Sequence, residues 1–336
     1  MHDRDSSLAH APDVYFSEGY GRAEEAAGAG EWLRLEAHEG RWQMPVHIRR
    51  EGGFVDAVSP YGYSGIYAAP GLDADSCATA WEGVAATLRQ MGVLSLFLRQ
   101  SPFYSPELPP QAVRLNQPHP TVCIPVGSED DVWKGMAGRC RTSCRKAEKL
   151  GVTGAVRAAT AQDLRPSSAF RRLYEGAMLR REATQRYFFP DAYYERLKEA
   201  LQGNLLLAEA RDQSGDVVAS TLLLRHGRRL HYHLSGSDPA AGRLGATNLL
   251  LWEAARWACS NSLDEFHLGG GVTDRDSLFR FKESFGGTLL DYSTHGITLD
   301  PVGFRDAVVR RSHELERPFD SVLNDPYYPQ FRAGSG

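Results

Sequence analysis

The chain has 336 residues, of which 42% are hydrophobic and 24% are charged, and its formal net charge is −4. This length is enough for two domains of ordinary size, each with its own core. No stretch of about 20 apolar residues occurs, and the first residues carry acids without an apolar core, so the sequence predicts neither a membrane span nor a secretory signal. The negative charge disfavours extensive coating of a long nucleic acid but allows a local basic patch.

Without a predicted membrane span or secretory signal, we expect a cytoplasmic protein, and the cysteine and histidine patterns predict no metal centre. The five cysteines form no CxxC pair, and the 11 histidines form no HExxH motif. We therefore expect reduced, mostly buried thiols and no metal ligands.

The first part of the chain alternates apolar and polar residues between glycine breaks, which predicts antiparallel strands. One segment with apolar residues at helical spacing ends at Gly92 and predicts a helix. Asp56, Tyr61 and Tyr63 either line a cleft between two domains that receives an acceptor, or belong to ordinary loops. The predicted elements are strands at 32–36, 43–49, 93–98 and 121–126, a helix at 75–91, and a loop rich in Gly and Tyr at 61–65.

A basic helix is predicted from Ser128 to Leu150. Ser128 is a favourable N-cap, and the three acidic residues after it suit the first turn of a helix. The basic residues on this helix recur at spacings that place them in neighbouring rows. These residues either bind phosphate groups or form a solvent-exposed helix face. The candidate phosphate ligands are Arg139, Arg141, Arg145, Lys146 and Lys149.

The second half predicts two helices, three strands, a loop rich in Gly, a further helix and a final strand. In the strand at 229–235, a period of two places His231, His233 and Ser235 on one face. A histidine there either accepts a proton from an acceptor amine or has a core or surface role. The elements are strands at 152–158, 205–211, 217–225, 229–235 and 265–268, helices at 163–181, 191–201 and 247–260, and a loop at 239–245.

The last strand runs directly into Gly269, Gly270 and Gly271. Glycines at a strand end either let the backbone approach a ligand, with N–H groups directed at a phosphate or carbonyl oxygen, or form a tight turn. A short aromatic and basic run follows, in which Lys282 stands between Phe281 and Glu283. Only five of the 38 Lys and Arg residues are lysines, so we consider Lys282 a candidate functional residue.

The element order of the second half resembles the Gcn5-related N-acyltransferase (GNAT) fold. Several segments are also similar to FemABX-type peptidyltransferases, which carry two such domains and use aminoacyl-tRNA. The segments that carry this resemblance are Arg139 to Gly151, Leu230 to Ser237, Asn248 to Glu253, and Leu268-Gly-Gly-Gly followed by Leu278-Phe-Arg-Phe-Lys282 and Phe285-Gly-Gly287.

The resemblance implies a mixed α/β protein of two tandem GNAT-like domains, each a mostly antiparallel twisted sheet flanked by helices. We expect an N-terminal domain at 1–150, completed by 300–336, and a C-terminal domain at 151–299. The resemblance also implies that Lys282 acts by electrostatics on donor phosphate or a developing oxyanion, with Phe281 beside the ligand. No cofactor is expected, because aminoacyl-tRNA would be a co-substrate.

The implied reaction forms an amide between an amino acid and the amine of a small acceptor, as in antibiotic pathways that use small Fem-like enzymes. The chain has no counterpart of the long helical arm of some family members, which disfavours a lipid-linked acceptor. An acyl-CoA-dependent N-acyltransferase is the alternative, although the glycines of the 240–247 loop are shifted out of the Q/R-x-x-G-x-G/A pattern. A non-catalytic binding module is a third interpretation.

Overall fold

The computed structural model describes residues 10–334. Within them the strands, in chain order, are β1 (Glu31–Ala37), β2 (Trp42–Glu51), β3 (Phe54–Val58), β4 (Tyr67–Ala68), β5 (Val93–Gln100), β6 (Val113–Arg114), β7 (His119–Pro125), β8 (Thr153–Ala158), β9 (Leu205–Arg211), β10 (Val217–His226), β11 (Arg229–Ser237), β12 (Glu265–Gly269) and β13 (Thr288–Thr298).

The α-helices in the same part of the chain vary from single turns to 17 residues. In chain order they are α1 (Glu18–Ala26), α2 (Ala74–Gln90), α3 (Glu129–Gly135), α4 (Gly138–Lys149), α5 (Ala169–Arg180), α6 (Asp191–Leu201), α7 (Pro239–Arg243), α8 (Ala246–Ser260), α9 (Ser277–Glu283), α10 (Pro301–Glu314) and α11 (Phe319–Leu323). Short 3-10 helices lie at Val14–Phe16, Gln162–Leu164, Gln185–Tyr187, Gln202–Asn204 and Gln330–Arg332.

The chain forms two compact units. The first contains the described residues up to Pro118 together with those from Tyr292 onward, and the second runs from His119 to Asp291. The boundary predicted from the sequence lies between residues 150 and 151, and therefore differs from the observed one. The segment 119–150 lies in the second unit because β7 pairs with β12 and because α4 packs against α8.

The first unit contains a mostly antiparallel sheet. Its strands follow the order β1-β2-β3-β5-β13, with β4 beside β2 and β6 beside β13. The pair β3/β5 is parallel, and α2 is the crossover between these two strands. Helix α2 packs against β1 and β5 and buries Trp81, Val84 and Leu88 in the core, which is the spacing that the sequence predicted.

The second unit contains a sheet of the same kind, in the order β7-β12-β11-β10-β9-β8. Here β11/β12 is the parallel pair, and α8 is the crossover. Helices α4 and α8 share one core with Leu206, Ala208 and Leu223 on one face of the sheet. Helices α5 and α6 pack against the other face, where Gly236 of β11 meets the α5 backbone. The predicted fold class, mixed α/β with mostly antiparallel sheets flanked by helices, is confirmed.

The predicted helix at 128–150 is two helices. Ser128 caps the first as expected, because its hydroxyl accepts from the Asp131 N–H at 3.1 Å. The chain then becomes extended at Met136 and Ala137, where the Ala137 N–H donates to the Ser284 carbonyl at 2.9 Å. This contact with a residue far along the chain, together with burial of Met136, interrupts a helix that local signals favour. Helices α7 and α9 were not predicted.

None of the helices between residues 10 and 334 has both the length and the apolar character needed to cross a bilayer. The five cysteines are free thiols. In the same part of the chain, no three His, Cys, Asp or Glu side chains are arranged to hold a metal ion.

A buried ion pair anchors the C-terminal segment of the first unit. Asp56 on β3 is fully buried, and its carboxylate accepts from Arg49 Nε at 2.9 Å and from Arg332 Nε and Nη2 at 3.1 and 2.9 Å. Arg332 also donates to the Glu51 carbonyl at 2.9 Å. The turn at Gln330–Arg332 is therefore held on β3 by charged hydrogen bonds within the interior.

Replacing Asp56 by Asn should lower the free energy of unfolding by about 3–5 kcal/mol, because two guanidinium groups lose their shared counter-charge in the interior. Urea denaturation followed by circular dichroism would measure this loss. Glu51→Gln is the matched control. Its side chain is 78% exposed and lies 3.4 Å from the same arginine, so its effect should stay below about 1 kcal/mol. Equal effects of the two variants would contradict the assignment.

Candidate active site

The parallel pair β11/β12 separates shortly after it begins. The pairing joins Arg229 to Glu265, Leu230 to Phe266 and His231 to His267. Beyond His231, strand β11 continues for six residues to Ser237, paired on its other side with β10. Strand β12 continues to Gly269, paired on its other side with β7. We call the resulting opening between residues 232–237 and 268–270 the split. There the ladder between β11 and β12, which has three residue pairs, is interrupted.

Lys282 of α9 contacts both sides of the split. Its Nζ donates to the Gly270 carbonyl at 2.7 Å and lies 5.2 Å from the centre of the Tyr232 ring. Tyr232 belongs to β11, whereas Gly270 directly follows β12. The side chain is only 6% exposed. Among the described residues, no carboxylate forms an ion pair with Lys282, so its charge is available to an anionic group that enters the split.

Burial sets the protonation state of this lysine. It lowers the pKa of the Lys282 ammonium to about 7, while Asp276 opposes the shift and Arg181 adds to it. Burial also raises the pKa of the Tyr232 hydroxyl, partly offset by a hydrogen bond with Ser235 and by the charge of Arg181. An ammonium with such a pKa is readily stabilised by a new negative charge, and it exchanges its proton near neutral pH.

Asp276 organises the glycine loop that leads to α9. Its carboxylate accepts from the N–H groups of Phe279 at 2.8 Å, Val272 at 2.7 Å and Thr273 at 3.1 Å. Burial alone would raise its pKa, but these hydrogen bonds bring it below the usual range. Asp276 is therefore the N-cap of α9.

Two glycines of the triplet are required by this geometry. Gly269 has φ of 73°, in the left-handed region. A Cβ at Gly271 would come within 2.3 Å of Asp276 Oδ1. The Gly270 carbonyl accepts from Lys282. The turn interpretation thus accounts for two of the glycines, and contacts from their N–H groups to a donor remain a prediction.

Phe281 is partly buried against the core of the second unit, with its ring 5.4 Å from that of Phe285. Phe279 is 1% exposed and belongs to that core. The two phenylalanines therefore fix α9, and with it the direction of Lys282. Contact between Phe281 and a ligand remains a prediction.

The candidate phosphate ligands on α4 fall into two groups. Arg141 is used within the protein, because its Nη1 donates to the carbonyls of Trp133 at 3.3 Å, Lys134 at 3.1 Å and Met136. Arg141 therefore supplies hydrogen-bond donors to backbone carbonyls at the C-terminal end of α3. Lys146 donates to the Arg243 carbonyl at 3.4 Å. Like Lys146, the candidates Arg139, Arg145 and Lys149 are exposed and form no ion pair within the described residues, and the Arg145 guanidinium lies 5.1 Å over the Trp133 ring.

The N-terminus of α8 lies beside these cations. Helix α8 follows Gly245 without a side-chain cap, and Gly245 packs against the Ser143 carbonyl of α4. Lys146 contacts the carbonyl of Arg243, two residues before Gly245. Helix N–H groups and a nearby lysine together favour an anion.

The predicted polar face of β11 is divided by a β-bulge. Leu222 of β10 pairs with Leu234, and Leu223 pairs with Tyr232, so His233 has no residue opposite it. The bulge interrupts the period of two. As a result Ser235, opposite Thr221, lies on the same face as Tyr232, opposite Leu223, and therefore on the face of Lys282. His231 and His233 lie on the opposite face, so the prediction that Ser235 shares their face is wrong.

The buried His231 and His267 and the partly buried His233 form a cluster with an aromatic residue that the sequence did not indicate. His231 Nδ1 lies 3.3 Å from His267 Nδ1, and the Tyr193 hydroxyl of α6 lies 2.7 Å from His233 Nε2. Burial, together with the charge on His231, lowers the pKa of His233 to about 3. Tyr193 gave no signal in the sequence beyond an apolar helix face. Tyr232 and Arg181 were also missed as neighbours of Lys282.

The acceptor candidates in the first unit occupy different environments. The buried Asp56 carboxylate accepts hydrogen bonds from Arg49 and Arg332. These contacts do not favour binding of an acceptor by Asp56. The Tyr61 N–H donates to Glu24 at 2.7 Å, and the Tyr61 side chain is 40% exposed. The Tyr63 ring lies 6.1 Å from that of Tyr15 and 5.3 Å from that of Tyr292. Acceptor binding by the two tyrosines remains a prediction.

Comparisons with known proteins agree with the fold. Residues 136–283 match the family model described as the acetyltransferase (GNAT) domain. The search of curated proteins finds no significant match. The structure is similar to that of FemX, with a TM-score of 0.66 and 12% identity over 91% of this chain and 98% of that one.

Two further solved structures are similar. One is the C-terminal domain of a putative lysylphosphatidylglycerol synthetase from Agrobacterium fabrum, with a TM-score of 0.57 and 14% identity over 88% of this chain and 92% of that one. The other is L-PGS from Bacillus licheniformis, with a TM-score of 0.53 and 11% identity over 84% and 91%. At these identities the similarity establishes the fold. The predicted GNAT fold and its FemABX-like form are confirmed at that level.

Replacing Lys282 by Met should stabilise the protein by about 1–3 kcal/mol at pH 7, because a buried ammonium is costly. In the unfolded chain the lysine has its ordinary pKa of 10.5, against about 7 in the folded protein. Between these values the unfolded state binds the extra proton, so wild-type stability rises with pH and the advantage of the variant shrinks. Urea denaturation at pH 7 and pH 9.5 measures both effects.

Lys134→Met is the control, because Lys134 is 72% exposed and should change stability by less than about 0.5 kcal/mol. A Lys282→Met protein that is less stable than wild type at both pH values would show that the ammonium is compensated within the fold.

Proposed function

We propose that this protein is an aminoacyltransferase that moves an amino acid from aminoacyl-tRNA to the amine of a small acceptor and forms an amide. The observation that carries the proposal is Lys282, a buried cation without a carboxylate partner in the described chain, located where β11 and β12 separate. An ester carbonyl that enters the split would develop negative charge on its oxygen as the amine attacks. Lys282 is placed to stabilise that charge.

The exposed cations of α4 support a nucleic-acid donor. Arg139, Arg145 and Lys149 are not neutralised by ion pairs within the described chain, and Trp133 offers an aromatic face beneath Arg145. Phosphates of a tRNA acceptor end are the kind of group that such exposed cations bind. The net charge of −4 fits contact with a few phosphates rather than with a long nucleic acid.

An acyl-CoA donor is the second candidate. The uncapped N-terminus of α8 beside Lys146 favours it, because a pyrophosphate suits the positive end of a helix. The matched family model is also described as an acetyltransferase domain. Either donor would place its carbonyl in the split beside Lys282. The two differ in their anionic part, which is the phosphate backbone of a tRNA or the pyrophosphate of coenzyme A.

A host-cell extract supplied with labelled amino acids, ATP and purified protein tests the donor, with ribonuclease added to half of the samples. We expect a labelled amide that disappears with ribonuclease. It should also fall at least 100-fold with Lys282→Ala, because the developing oxyanion loses its cation, and stay unchanged with Lys134→Ala. An amide that survives ribonuclease but requires coenzyme A would replace the tRNA proposal. Full activity of Lys282→Ala would favour a role without catalysis by this lysine.

Removal of the α4 cations should weaken donor binding rather than the chemical step. With Arg139→Ala, Arg145→Ala or Lys149→Ala, KM for aminoacyl-tRNA should rise about three- to tenfold and kcat should change little, since phosphate contacts are made before and during the reaction. The dependence of KM on salt should become shallower. Arg165→Ala, an exposed arginine of the same unit, is the control. Unchanged KM in all three variants would contradict the assignment.

A further inference from the structure

Three side chains with planar groups lie on one another where α3, α4 and α8 of the second unit meet. The Arg145 guanidinium of α4 lies 5.1 Å over the Trp133 ring of α3, and that ring lies 4.9 Å from the ring of Trp252 on α8. Trp252 is buried in the core, Trp133 is partly buried against it, and Arg145 is exposed. We call these three residues the stack. Its two tryptophans are fixed by the core, and its guanidinium faces solvent.

Arg145 differs from the other arginines around the stack. Arg256 also lies over a ring of the stack, at 6.0 Å, but it forms ion pairs with Glu129 at 2.9 Å and with Glu253 at 3.0 Å. Arg141 donates to backbone carbonyls at the end of α3. Arg145 forms no hydrogen bond or ion pair with the residues that the structure describes. Its N–H groups and the outer face of its plane are therefore available to a ligand.

The stack is connected to the candidate active site through the link between α3 and α4. The Ala137 N–H donates to the Ser284 carbonyl at 2.9 Å, and Ser284 directly follows α9, the helix that carries the candidate lysine. A Cβ at Gly286 would come within 2.5 Å of the Gly135 carbonyl oxygen, so the chain after α9 packs closely on this link. Gly135 lies only two residues after Trp133. The stack and the split therefore belong to neighbouring parts of the same unit.

We propose that the stack is a platform for a nucleobase in the single-stranded acceptor end of the donor tRNA. The inference rests on the proposed aminoacyltransferase function. The outer face of the Arg145 guanidinium stacks on the base, and its N–H edge donates to the adjoining phosphate. Arginine planes and aromatic rings are the surfaces on which proteins hold unpaired RNA bases. An arginine that a ring already holds in place loses less conformational freedom when the base binds.

Two kinds of donor carry a nucleobase beside phosphates, namely the acceptor end of a tRNA and coenzyme A. The other exposed cations of α4 favour the tRNA. They extend from Arg139 to Lys149, which is about 15 Å along a helix axis. Such an extent suits phosphates that are spread along an RNA strand better than it suits the compact pyrophosphate of coenzyme A.

Binding of a short RNA to the full chain tests the platform without any turnover. Fluorescence anisotropy compares a labelled single-stranded RNA that ends in CCA with a strand of equal length that has the same backbone and no bases. We expect wild-type protein to bind the strand with bases at least about fivefold more tightly, because stacking adds to the phosphate contacts. Equal affinity for the two strands would show that only phosphates are recognised and would overturn the proposal.

Arg145→Lys separates the plane from the charge, because lysine keeps the positive charge and has no planar group. Kd for the strand with bases should rise about fivefold, and Kd for the strand without bases should change less than about twofold. Trp133→Leu, which removes the ring beneath the guanidinium, should act in the same way. Arg305→Lys is the matched control, because Arg305 is an exposed arginine of the first unit that lies 5.0 Å over the Phe319 ring. It should leave both affinities unchanged.

Coenzyme A, added as a competitor of the labelled RNA, tests the other source of a base. If Arg145→Lys weakened the binding of coenzyme A and left the binding of RNA unchanged, the platform would hold the adenine of the coenzyme and the RNA proposal would be wrong. The proposed function fails in a separate measurement, namely when wild-type protein forms no labelled amide in the extract assay. A working enzyme whose Arg145→Lys variant binds both strands as wild type does would refute the platform alone.

Discussion

The separation of β11 from β12 after three residue pairs is the constraint on which the candidate site depends. Each strand keeps its pairing with the neighbour on its outer side, so the sheet stays intact on both sides of the opening. Lys282 contacts both edges of this opening, through the Gly270 carbonyl and the Tyr232 ring. The protein thereby holds a cation in a low-dielectric place, which raises its electrostatic effect and lowers its pKa.

The surroundings of Lys282 show how a costly charge is retained. Asp276 gathers three N–H groups and starts α9, Phe279 is buried in the core, and the glycine triplet permits the tight path between them. These contacts fix the lysine without neutralising it. A carboxylate partner would have lowered the free-energy cost of burying Lys282, but it would also have neutralised the charge that could attract an anion. Such a compromise between stability and function is expected of a functional site.

The bulge at His233 gives the two faces of the split different chemistry. Without it, His233 and Ser235 would share a face, and Tyr232 would point away from Ser235. With it, the face of Lys282 gains the hydroxyls of both Tyr232 and Ser235, and the other face gains the His233–Tyr193 pair. One extra residue in a strand thus separates a cationic face from an imidazole face.

The sequence by itself determined the elements that local patterns specify. Strands such as β9 and helices such as α6 match their predicted bounds, because period-two apolar runs, N-caps and glycine breaks act over a few residues. The motif around Lys282 likewise pointed to the correct fold and to the lysine at the split.

The tertiary structure decided what depends on distant partners. The Ser284 carbonyl breaks the helix at Ala137, and Arg141 turns inward to cap α3. The bulge moves Ser235 to another face, and Arg332 buries Asp56. Each outcome is set by a hydrogen bond or a strand register between residues that are remote in sequence or that only folding brings together. No window of local sequence contains that information.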